Sequence, residues 1–211
     1  MATKQLLRRQ IKRVINALDY DIIAAESHTI SQAVRSLIAS TNSRRVACYM
    51  SMDKGEVTTG EIIKNLFQDG QEVFLPRCTH TSESKYFKLR EDHHPHLIFH
   101  RMSGLKMVRD LKPQGPYQLK EPEPHIEESD ILDVVLVPGV AFDIKTGARM
   151  GHGAGYYDDF FQRYKILHEG QKPLLVGLCL MEQVASPIPL EKHDYSMDCI
   201  VCGDGSIHWF Q

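Results

Sequence analysis

The feature that most constrains the fold is a pair of apolar runs separated by an amphipathic segment. The first run, RRVACYMSM at 44–52, predicts a buried strand that ends near Met50. The segment TTGEIIKNLFQDG at 58–70 predicts a helix, with capping-box spacing between Thr58 and Glu61 and with Gly70 at its end. The second run is EVFLPRC at 72–78. A strand, a helix and a strand within about 30 residues indicate a βαβ unit and therefore a parallel sheet.

The rest of the chain repeats this alternation of helices and apolar strands. We predict two N-terminal helices at 4–18 and 22–40, a buried strand within 132–143, a helix beginning near Tyr156, a strand within 173–180 and a final hairpin within 198–210. We therefore predict an α/β fold over 1–211: one domain with a mostly parallel central sheet and helices on both faces, a three-layer, Rossmann-like architecture.

Residues 79–130 interrupt this pattern and are rich in His, Pro, Lys and Glu. We predict an irregular insertion here, or a small antiparallel flap over the site. Four histidines suggest a metal site, but no Cys or acidic ligand spacing accompanies them, so a solvated loop is the preferred interpretation. They are His93, His94, His96 and His100.

Composition excludes several classes of protein. The net charge of −2 in 211 residues lacks the basic excess of nucleic-acid or membrane-surface proteins, and no apolar run is long enough to cross a membrane. The five cysteines are odd in number and irregularly spaced, which argues against a disulfide framework. Cys199 and Cys202 form C-x-x-C, but in a strand they point to opposite faces, so we expect no metal or redox role.

The expected compartment is a reducing one, and we predict a cytoplasmic protein. The basic N-terminal segment MATKQLLRRQIKRVINAL is also typical of a mitochondrial presequence, so a mitochondrial location is the alternative. The spacing of its apolar residues is that of an ordinary surface helix, which is the interpretation we favour.

The stretch GARMGHGAGYYDDFF at 147–161 places alternating glycines between a strand and a helix. Glycines at a helix N-terminus let backbone N–H groups approach a phosphate, and Arg149 adds a positive charge. The pattern is neither a P-loop nor a dinucleotide fingerprint, and a tight turn without ligand is the alternative. Asp158 in the first helical turn is either a dipole partner or a Mg²⁺ ligand beside phosphates, with Asp194 or Asp198 as a second carboxylate.

The same residues resemble the signature of the 5-formyltetrahydrofolate cyclo-ligase family, also called methenyltetrahydrofolate synthetases. The family pattern is P-G-x-x-F-D followed by R-[LM]-G-x-G-x-G-Y-Y-D, and this chain has PGVAFD and RMGHGAGYYD. KQLLR, MSMDKGEVTTGEII and HDYSMD resemble further family segments, so the resemblance covers nearly the whole chain. Some members have lysine where Ala154 stands, a phosphate contact that this chain lacks.

The resemblance implies an ATP- and Mg²⁺-dependent enzyme that cyclises 5-formyltetrahydrofolate to 5,10-methenyltetrahydrofolate, releasing ADP and phosphate through a phosphorylated formyl group. It implies a small-molecule substrate with or without a polyglutamate tail, and no nucleic acid or membrane partner; we expect a monomer. Catalytic roles fall on Arg149 and Tyr156, and metal binding on Asp158 and Asp194. The ATP-binding residues are Lys4, Arg8, Arg149, Gly151, Gly153, Ala154, Gly155, Tyr156 and Tyr157. The substrate-binding residues are Met50, Glu56, His152, Gly153, Ala154, Gly155 and Tyr156.

Two other functions remain open from the residues alone. A sugar-phosphate isomerase would use the glycine loop for one phosphate and need a titratable acid–base residue beside it, for which the sequence offers no clear candidate. A non-catalytic folate-binding protein would bind the folate without releasing phosphate. Without the resemblance, Glu56 would be interpreted as a solvated loop residue, and Lys4 and Arg8 as part of a solvated helix face.

Overall fold

The protein is built on a seven-stranded sheet with helices on both faces. The computed structural model describes residues 4–52, 54–82, 87–115, 118–126 and 131–210. The helices are α1 (Lys4–Asn16), α2 (Tyr20–Ser40), α3 (Gly60–Gln68), α4 (Leu105–Asp110) and α5 (Tyr156–Leu167). The strands are β1 (Arg45–Ala47), β2 (Glu72–His80), β3 (Pro95–Met102), β4 (Lys112–Gln114), β5 (Leu119–Glu121), β6 (Val134–Val137), β7 (Ala141–Phe142), β8 (Arg149–Met150), β9 (Leu174–Cys179), β10 (Cys199–Cys202) and β11 (Ile207–Trp209).

The strand order is β11-β10-β9-β6-β1-β2-β3. The five central strands run parallel, and the two edge strands β3 and β11 are antiparallel to their neighbours. The β1–α3–β2 segment is the predicted βαβ unit, with Val46 opposite Val73. The α/β fold class is therefore confirmed.

Alternation along the buried strands separates two core layers. In β6, Val134 and Leu136 pack with α1, α2 and α3, whereas Val135 and Val137 pack with Phe160 and Phe161 of α5. Because side chains of a strand alternate between faces, a wholly apolar strand must be covered on both sides. The sequence of β6, VVLV, thus requires the observed three layers.

The C-x-x-C pair follows the same rule. Cys199 packs in the layer of α2 and α3, and Cys202 packs in the layer of α5. The two thiols lie on opposite faces of β10, as the strand assignment predicted, and both cysteines are free.

The start of α3 differs from the predicted capping box. Thr59, not Thr58, occupies the N-cap position, without a side-chain cap hydrogen bond. Its hydroxyl donates to the carbonyl oxygen of Tyr49 at 2.7 Å, and the Thr58 N–H donates to Ser27 Oγ at 2.9 Å. The capping prediction is wrong because tertiary partners occupy both threonines. The strand before it is also shorter than predicted, ending at Ala47.

The predicted irregular insertion at 79–130 is regular over much of its described part. Its central piece is β3, which pairs with β2 as an edge strand of the main sheet, followed by α4 and the β4–β5 hairpin. Residues 83–86, 116–117 and 127–130 of the predicted flap lie outside the described residues.

The histidines of this region do not behave alike. His96 and His100 are buried in β3, so the solvated-loop interpretation is wrong for these two. His96 Nδ1 lies 3.9 Å from Asp159 Oδ2 of α5, and His100 Nδ1 forms a hydrogen bond of 2.8 Å with the carbonyl oxygen of Ile126. Among the described residues, no group of three His, Cys, Asp or Glu side chains is placed to hold a metal ion. In the same part of the chain, no helix is both long and apolar enough to cross a membrane.

Candidate functional site

A cavity of about 730 Å³ opens at the carboxyl ends of β1 and β6, the edge at which parallel sheets bind ligands. Its lining comes from α1, the loop after β1, the end of β2, the β4–β5 hairpin, the glycine loop and the segment 191–194. The residues that the sequence predicted for ATP, substrate and metal all line it. They are Lys4, Arg8, Met50, Glu56, Arg149, Gly151, His152, Gly153, Ala154, Gly155, Tyr156, Tyr157, Asp158 and Asp194.

The three glycines of the loop are required for different structural reasons. Gly153 and Gly155 adopt φ angles of +113° and +76°, a region that side chains disfavour. Gly155 is the N-cap of α5, which therefore begins without a side-chain cap. A Cβ atom at Gly151 would lie 3.0 Å from Nη1 of Arg149. The first glycine thus makes room for the arginine, and the other two shape the backbone at the helix N-terminus.

Arg149 is a fixed cation in the wall of the cavity. Only 6% of it is exposed, and its Nη1 and Nη2 donate to Pro138 O at 3.1 Å and to Asp158 Oδ2 at 2.9 Å. The guanidinium lies 5.7 Å from the ring centre of Tyr157. Its Nε is buried without a hydrogen-bond partner among the described residues. The side chain is therefore preorganised, with one donor left over.

Asp158 connects the glycine loop to the C-terminal segment. Its Oδ2 accepts from Arg149, and its Oδ1 accepts from the Tyr195 N–H at 3.0 Å. Both oxygens of Asp158 thus accept hydrogen bonds from the protein. Because each carboxylate oxygen has two lone pairs, Asp158 can still bind a further ligand.

Asp194 is held by α1. It pairs with Lys4 and accepts from the Glu191 N–H at 2.6 Å. Burial by itself would raise the pKa of Asp194, but the bonds from Lys4 and Glu191 N–H outweigh it and lower that pKa. Asp198, the alternative second carboxylate, does not line the cavity: it accepts from the Leu175 N–H at 2.9 Å and pairs with Lys172.

Helix α1 places two cations in the wall of the cavity. Arg8 Nε donates to the carbonyl oxygen of Gly151 at 2.9 Å, and Lys4 lies 3.2 Å from Glu191 in addition to its pair with Asp194. Burial opposes the charge on Lys4, but its carboxylate partners prevail and raise its pKa. The i, i+4 spacing therefore brings both side chains to one cavity, so they are not part of a solvated face.

The wall after β1 carries a buried carboxylate. Glu56 is 5% exposed, and its Oε1 accepts from the Met52 N–H at 2.5 Å. Burial raises the pKa of Glu56 to about 7, although the Met52 N–H partly offsets it. Interpreting Glu56 as a solvated loop residue, as the sequence alone suggested, is therefore wrong.

Several cavity residues were not predicted from the sequence. They include Lys12, Cys78, Glu121 and His193. Lys12 repeats the spacing of Lys4 and Arg8 and could have been found by extending that stripe by four residues. Cys78 and Glu121 meet only through the β4–β5 hairpin, whose packing on β2 is a tertiary contact that local pattern does not reveal.

We expect Glu56→Gln to stabilise the protein at pH 8 by roughly 1–2 kcal/mol. Because the folded-state pKa of Glu56 is raised, its contribution is present below the unfolded value near 4.5 and is lost as pH rises through about 7. Above that pH the wild-type protein must bury a carboxylate, whereas glutamine keeps the Met52 bond without charge. Urea unfolding at pH 5 and pH 8 measures this, with the exposed Glu91→Gln as control. Equal stability of wild type and Glu56→Gln at pH 8 would contradict it.

Comparisons with known proteins indicate the family of the chain. A model described as the 5-formyltetrahydrofolate cyclo-ligase family matches residues 1–203. The chain is 99% identical over 211 residues to a 5-formyltetrahydrofolate cyclo-ligase of Saccharomyces cerevisiae, covering 100% of both. It is 29% identical over 208 residues to one of Mus musculus, covering 96% of this chain and 95% of the relative.

A solved structure resembles the whole fold. The NMR structure of a 5,10-methenyltetrahydrofolate synthetase from Aquifex aeolicus superimposes with a TM-score of 0.72. It shares 24% identity and covers 98% of this chain and 92% of that one. At this identity the likeness shows the fold alone.

Proposed function

The chain belongs to the 5-formyltetrahydrofolate cyclo-ligase family, and from this premise we propose the reaction it catalyses. It closes 5-formyltetrahydrofolate to 5,10-methenyltetrahydrofolate, consuming ATP in the presence of Mg²⁺ and releasing ADP and phosphate. The observation that carries this proposal is one cavity with a glycine loop and cations on one side and a buried carboxylate on the other.

The chemistry explains why a phosphate-binding loop and a folate wall must share a cavity. The formyl oxygen of the folate is a poor leaving group. Its attack on the γ-phosphorus breaks the bond to ADP and converts that oxygen into a phosphate ester. The N10 amine then attacks the formyl carbon, phosphate departs with the oxygen, and N10 loses its proton. Phosphoryl transfer requires positioning and charge neutralisation more than covalent work by the protein.

The phosphate side is formed by the glycine loop, Arg149, Lys4 and Arg8. Backbone N–H groups at the uncapped start of α5 face a ligand favoured by the helix dipole. Arg149 is already oriented by Pro138 and Asp158, so little reorganisation is needed when charge develops on the transferred group. Tyr156 at the first turn of α5 is proposed to contact the reacting groups.

The donor set fits Mg²⁺ when the ion is shared with phosphates. Asp158 and Asp194 line the phosphate side of the cavity and offer hard oxygen ligands. Each also holds protein donors, so these residues would hold the ion through part of its coordination shell, with phosphate oxygens and water completing it. Bound there, Mg²⁺ supplies charge neutralisation on the phosphates.

The folate side is the wall after β1. We propose that Glu56 accepts hydrogen bonds from N–H groups of the pterin, and that Met50 and His152 contact the same substrate. Lys12, Lys54 and Lys120 also line the cavity and would suit the anionic glutamate tail. Comparing KM for mono- and triglutamate substrates tests the tail contact, and light scattering tests the proposed monomer.

The proposed reaction is tested by incubating the protein with 5-formyltetrahydrofolate and Mg²⁺, with and without ATP. We expect near-ultraviolet absorbance of the methenyl product, and phosphate release in equal amount, only with ATP. Folate binding without phosphate release would instead indicate a binding protein. Product formed without ATP would contradict the role of the glycine loop.

We expect Asp158→Asn and Asp194→Asn to raise the Mg²⁺ concentration for half-maximal activity by about tenfold or more. Asp159→Asn should leave that concentration unchanged, because Asp159 is buried against Arg163, with its Oδ2 2.8 Å from Nε. Successive helix positions point about 100° apart, so only one of the paired aspartates faces the phosphates.

The measurement is a Mg²⁺ titration of activity at saturating ATP, with thermal unfolding confirming that each variant is folded. Asp158→Asn should also lower kcat, because Arg149 loses its partner, but that loss would not depend on Mg²⁺. Equal Mg²⁺ requirements for all three variants and wild type would show that Asp158 serves only to hold Arg149 and Tyr195.

A further inference from the structure

A second buried carboxylate lies in the cavity wall, away from the glycine loop. Glu121 ends β5 in the β4–β5 hairpin, is 3% exposed and lines the cavity. Its Oε1 accepts from the Cys78 N–H at 3.2 Å. Its Oε2 is buried with no hydrogen-bond partner in the part of the chain that the structure describes. Buried acceptors are normally satisfied, so one left open in a ligand cavity calls for a donor.

The carboxyl group is held in place by the hairpin's attachment to β2. Arg77 Nη1 donates to Gln114 Oε1 at 2.7 Å and to Pro122 O at 2.8 Å. Gln114 Nε2 in turn donates to the backbone carbonyl of Glu121 at 2.9 Å. These bonds fix the backbone on both sides of Glu121, and the bond from Cys78 fixes one oxygen. The carboxyl group of Glu121 therefore has a rigid support, as binding sites require.

The surroundings suit a flat heterocycle. Leu119 of the same hairpin, Pro76 of β2 and Leu97 of β3 contribute apolar surface to the cavity, and Glu56 lies on the loop after the neighbouring strand β1. A reduced pterin is an apolar-faced ring whose pyrimidine edge carries an N–H and an amino group side by side. A carboxyl oxygen without a proton accepts hydrogen bonds, so Oε2 of Glu121 matches such a donor edge.

We propose that Glu121 is a substrate-binding residue whose Oε2 accepts a hydrogen bond from the N–H edge of the pterin. It acts with Glu56, and each carboxylate contacts different N–H groups of the ring. The identity of the ligand as a folate rests on the proposed function. The position of Glu121 in the cavity wall and its buried, unpaired Oε2 do not depend on that function.

Glu121→Gln isolates the open oxygen. The amide oxygen can still accept from the Cys78 N–H, whereas the amide nitrogen replaces the acceptor with a donor that faces the donors of the pterin. We expect KM and the equilibrium Kd for 5-formyltetrahydrofolate, measured without ATP, to rise about 10–100-fold. The Kd of ATP and the melting temperature should stay unchanged, and kcat should change by no more than about threefold.

The matched control is Glu123→Gln on the same hairpin, which is exposed and bonded to Gln114. It should leave the Kd of the folate at the wild-type value. A folate analogue lacking the 2-amino group provides a second test, whose result does not depend on the stability of the variant because two ligands are compared on the same protein. Wild type should bind the analogue more weakly than the substrate, and Glu121→Gln should show a smaller difference between the two.

The outcomes separate this inference from the proposed function. Wild-type turnover with an unchanged folate Kd in Glu121→Gln would overturn the role of Glu121 and leave the reaction intact. Equal loss of ATP and folate affinity would also overturn it, because that result indicates a structural role. If wild type binds the folate without turnover, the reaction fails, and the Kd ratio still decides the role of Glu121.

Discussion

Arg149→Ala should lower kcat by about 10²–10³, the usual cost of removing one preorganised charge stabiliser. The guanidinium lies at the entrance to the glycine loop, 94% buried and bonded to both Pro138 and Asp158. Its geometry is therefore set before the phosphates arrive. Negative charge that develops on the transferred group gains most from a cation that need not move. The effect should appear in kcat more than in the KM of the folate, because Arg149 is not among the residues proposed to bind the folate.

Arg149→Lys provides the control for this prediction. Lysine keeps the charge but cannot bond Pro138 and Asp158 with a planar fork, so we expect it to recover only part of the lost rate. Removing Arg149 also leaves Asp158 without a partner, so steady-state kinetics must accompany unfolding curves for both variants. A folded Arg149→Ala protein with near-normal kcat would show that Arg149 is not a catalytic residue.

The sequence predicted the sheet because its strands are apolar on both faces. VVLV at 134–137 and LLVGLC at 174–179 leave no polar side for solvent, so helices on both faces follow directly. Helix α5 was predicted for the same reason, since Phe160, Phe161 and Tyr164 form one apolar side. Local pattern was sufficient wherever burial alone determined the element.

Elements that depend on tertiary partners were not predictable in this way. Strand β3 contains PHLIFHR, whose histidines resemble a polar loop, yet His96 is buried beside Asp159 of α5 and His100 beside the carbonyl oxygen of Ile126. Thr58 and Glu61 have capping-box spacing, but the Ser27 hydroxyl of α2 takes the Thr58 N–H. In both cases the deciding contact comes from a residue distant in sequence.

The residues of the candidate site likewise fall into those predictable from local sequence and those that depend on tertiary contacts. The glycines and Arg149 lie within one loop, and the prediction that they bind phosphate was made from that local sequence. The contribution of α1 was predicted through the family resemblance, and the structure shows how it is made, through Arg8 and the carbonyl of Gly151. Glu121 was absent from every prediction, because its nearest donor is the Cys78 N–H on another strand. Contacts between distant segments are what sequence periodicity does not encode.

The surroundings of the three loop glycines explain why two of these positions do not accommodate a side chain. At Gly151 a Cβ atom would crowd Nη1 of Arg149, and at Gly155 it would lie 3.0 Å from Cε1 of His93. At Gly153 the nearest atom is Cζ of Arg8 at 3.7 Å, an ordinary contact distance. At Gly153 the folded protein therefore has room for a side chain. That side chain would, however, occupy the space that a ligand needs to approach the backbone.

Gly153→Val should weaken ATP binding by at least about 100-fold while leaving the protein folded. Two effects contribute: the φ of +113° strains any residue with a side chain, and the isopropyl group occupies the space through which phosphate reaches the backbone N–H groups. Loss of even two charge-assisted hydrogen bonds, at roughly 1.5–3 kcal/mol each, accounts for a change of this size. Calorimetric titration with ATP and Mg²⁺ measures it directly.

Gly170→Val is the control that separates backbone strain from obstruction of the ligand. It introduces the same strain at a positive φ but places no side chain in the cavity. Gly170 follows α5 with a φ of +92°, and an added Cβ there meets no atom within 4 Å. Both variants should lose a similar amount of unfolding free energy, about 1–2 kcal/mol. Only Gly153→Val should lose ATP, since only its side chain enters the cavity. Equal ATP affinity in the two variants would mean that phosphate does not approach the backbone at Gly153, and that the loop is a tight turn which binds no ligand there.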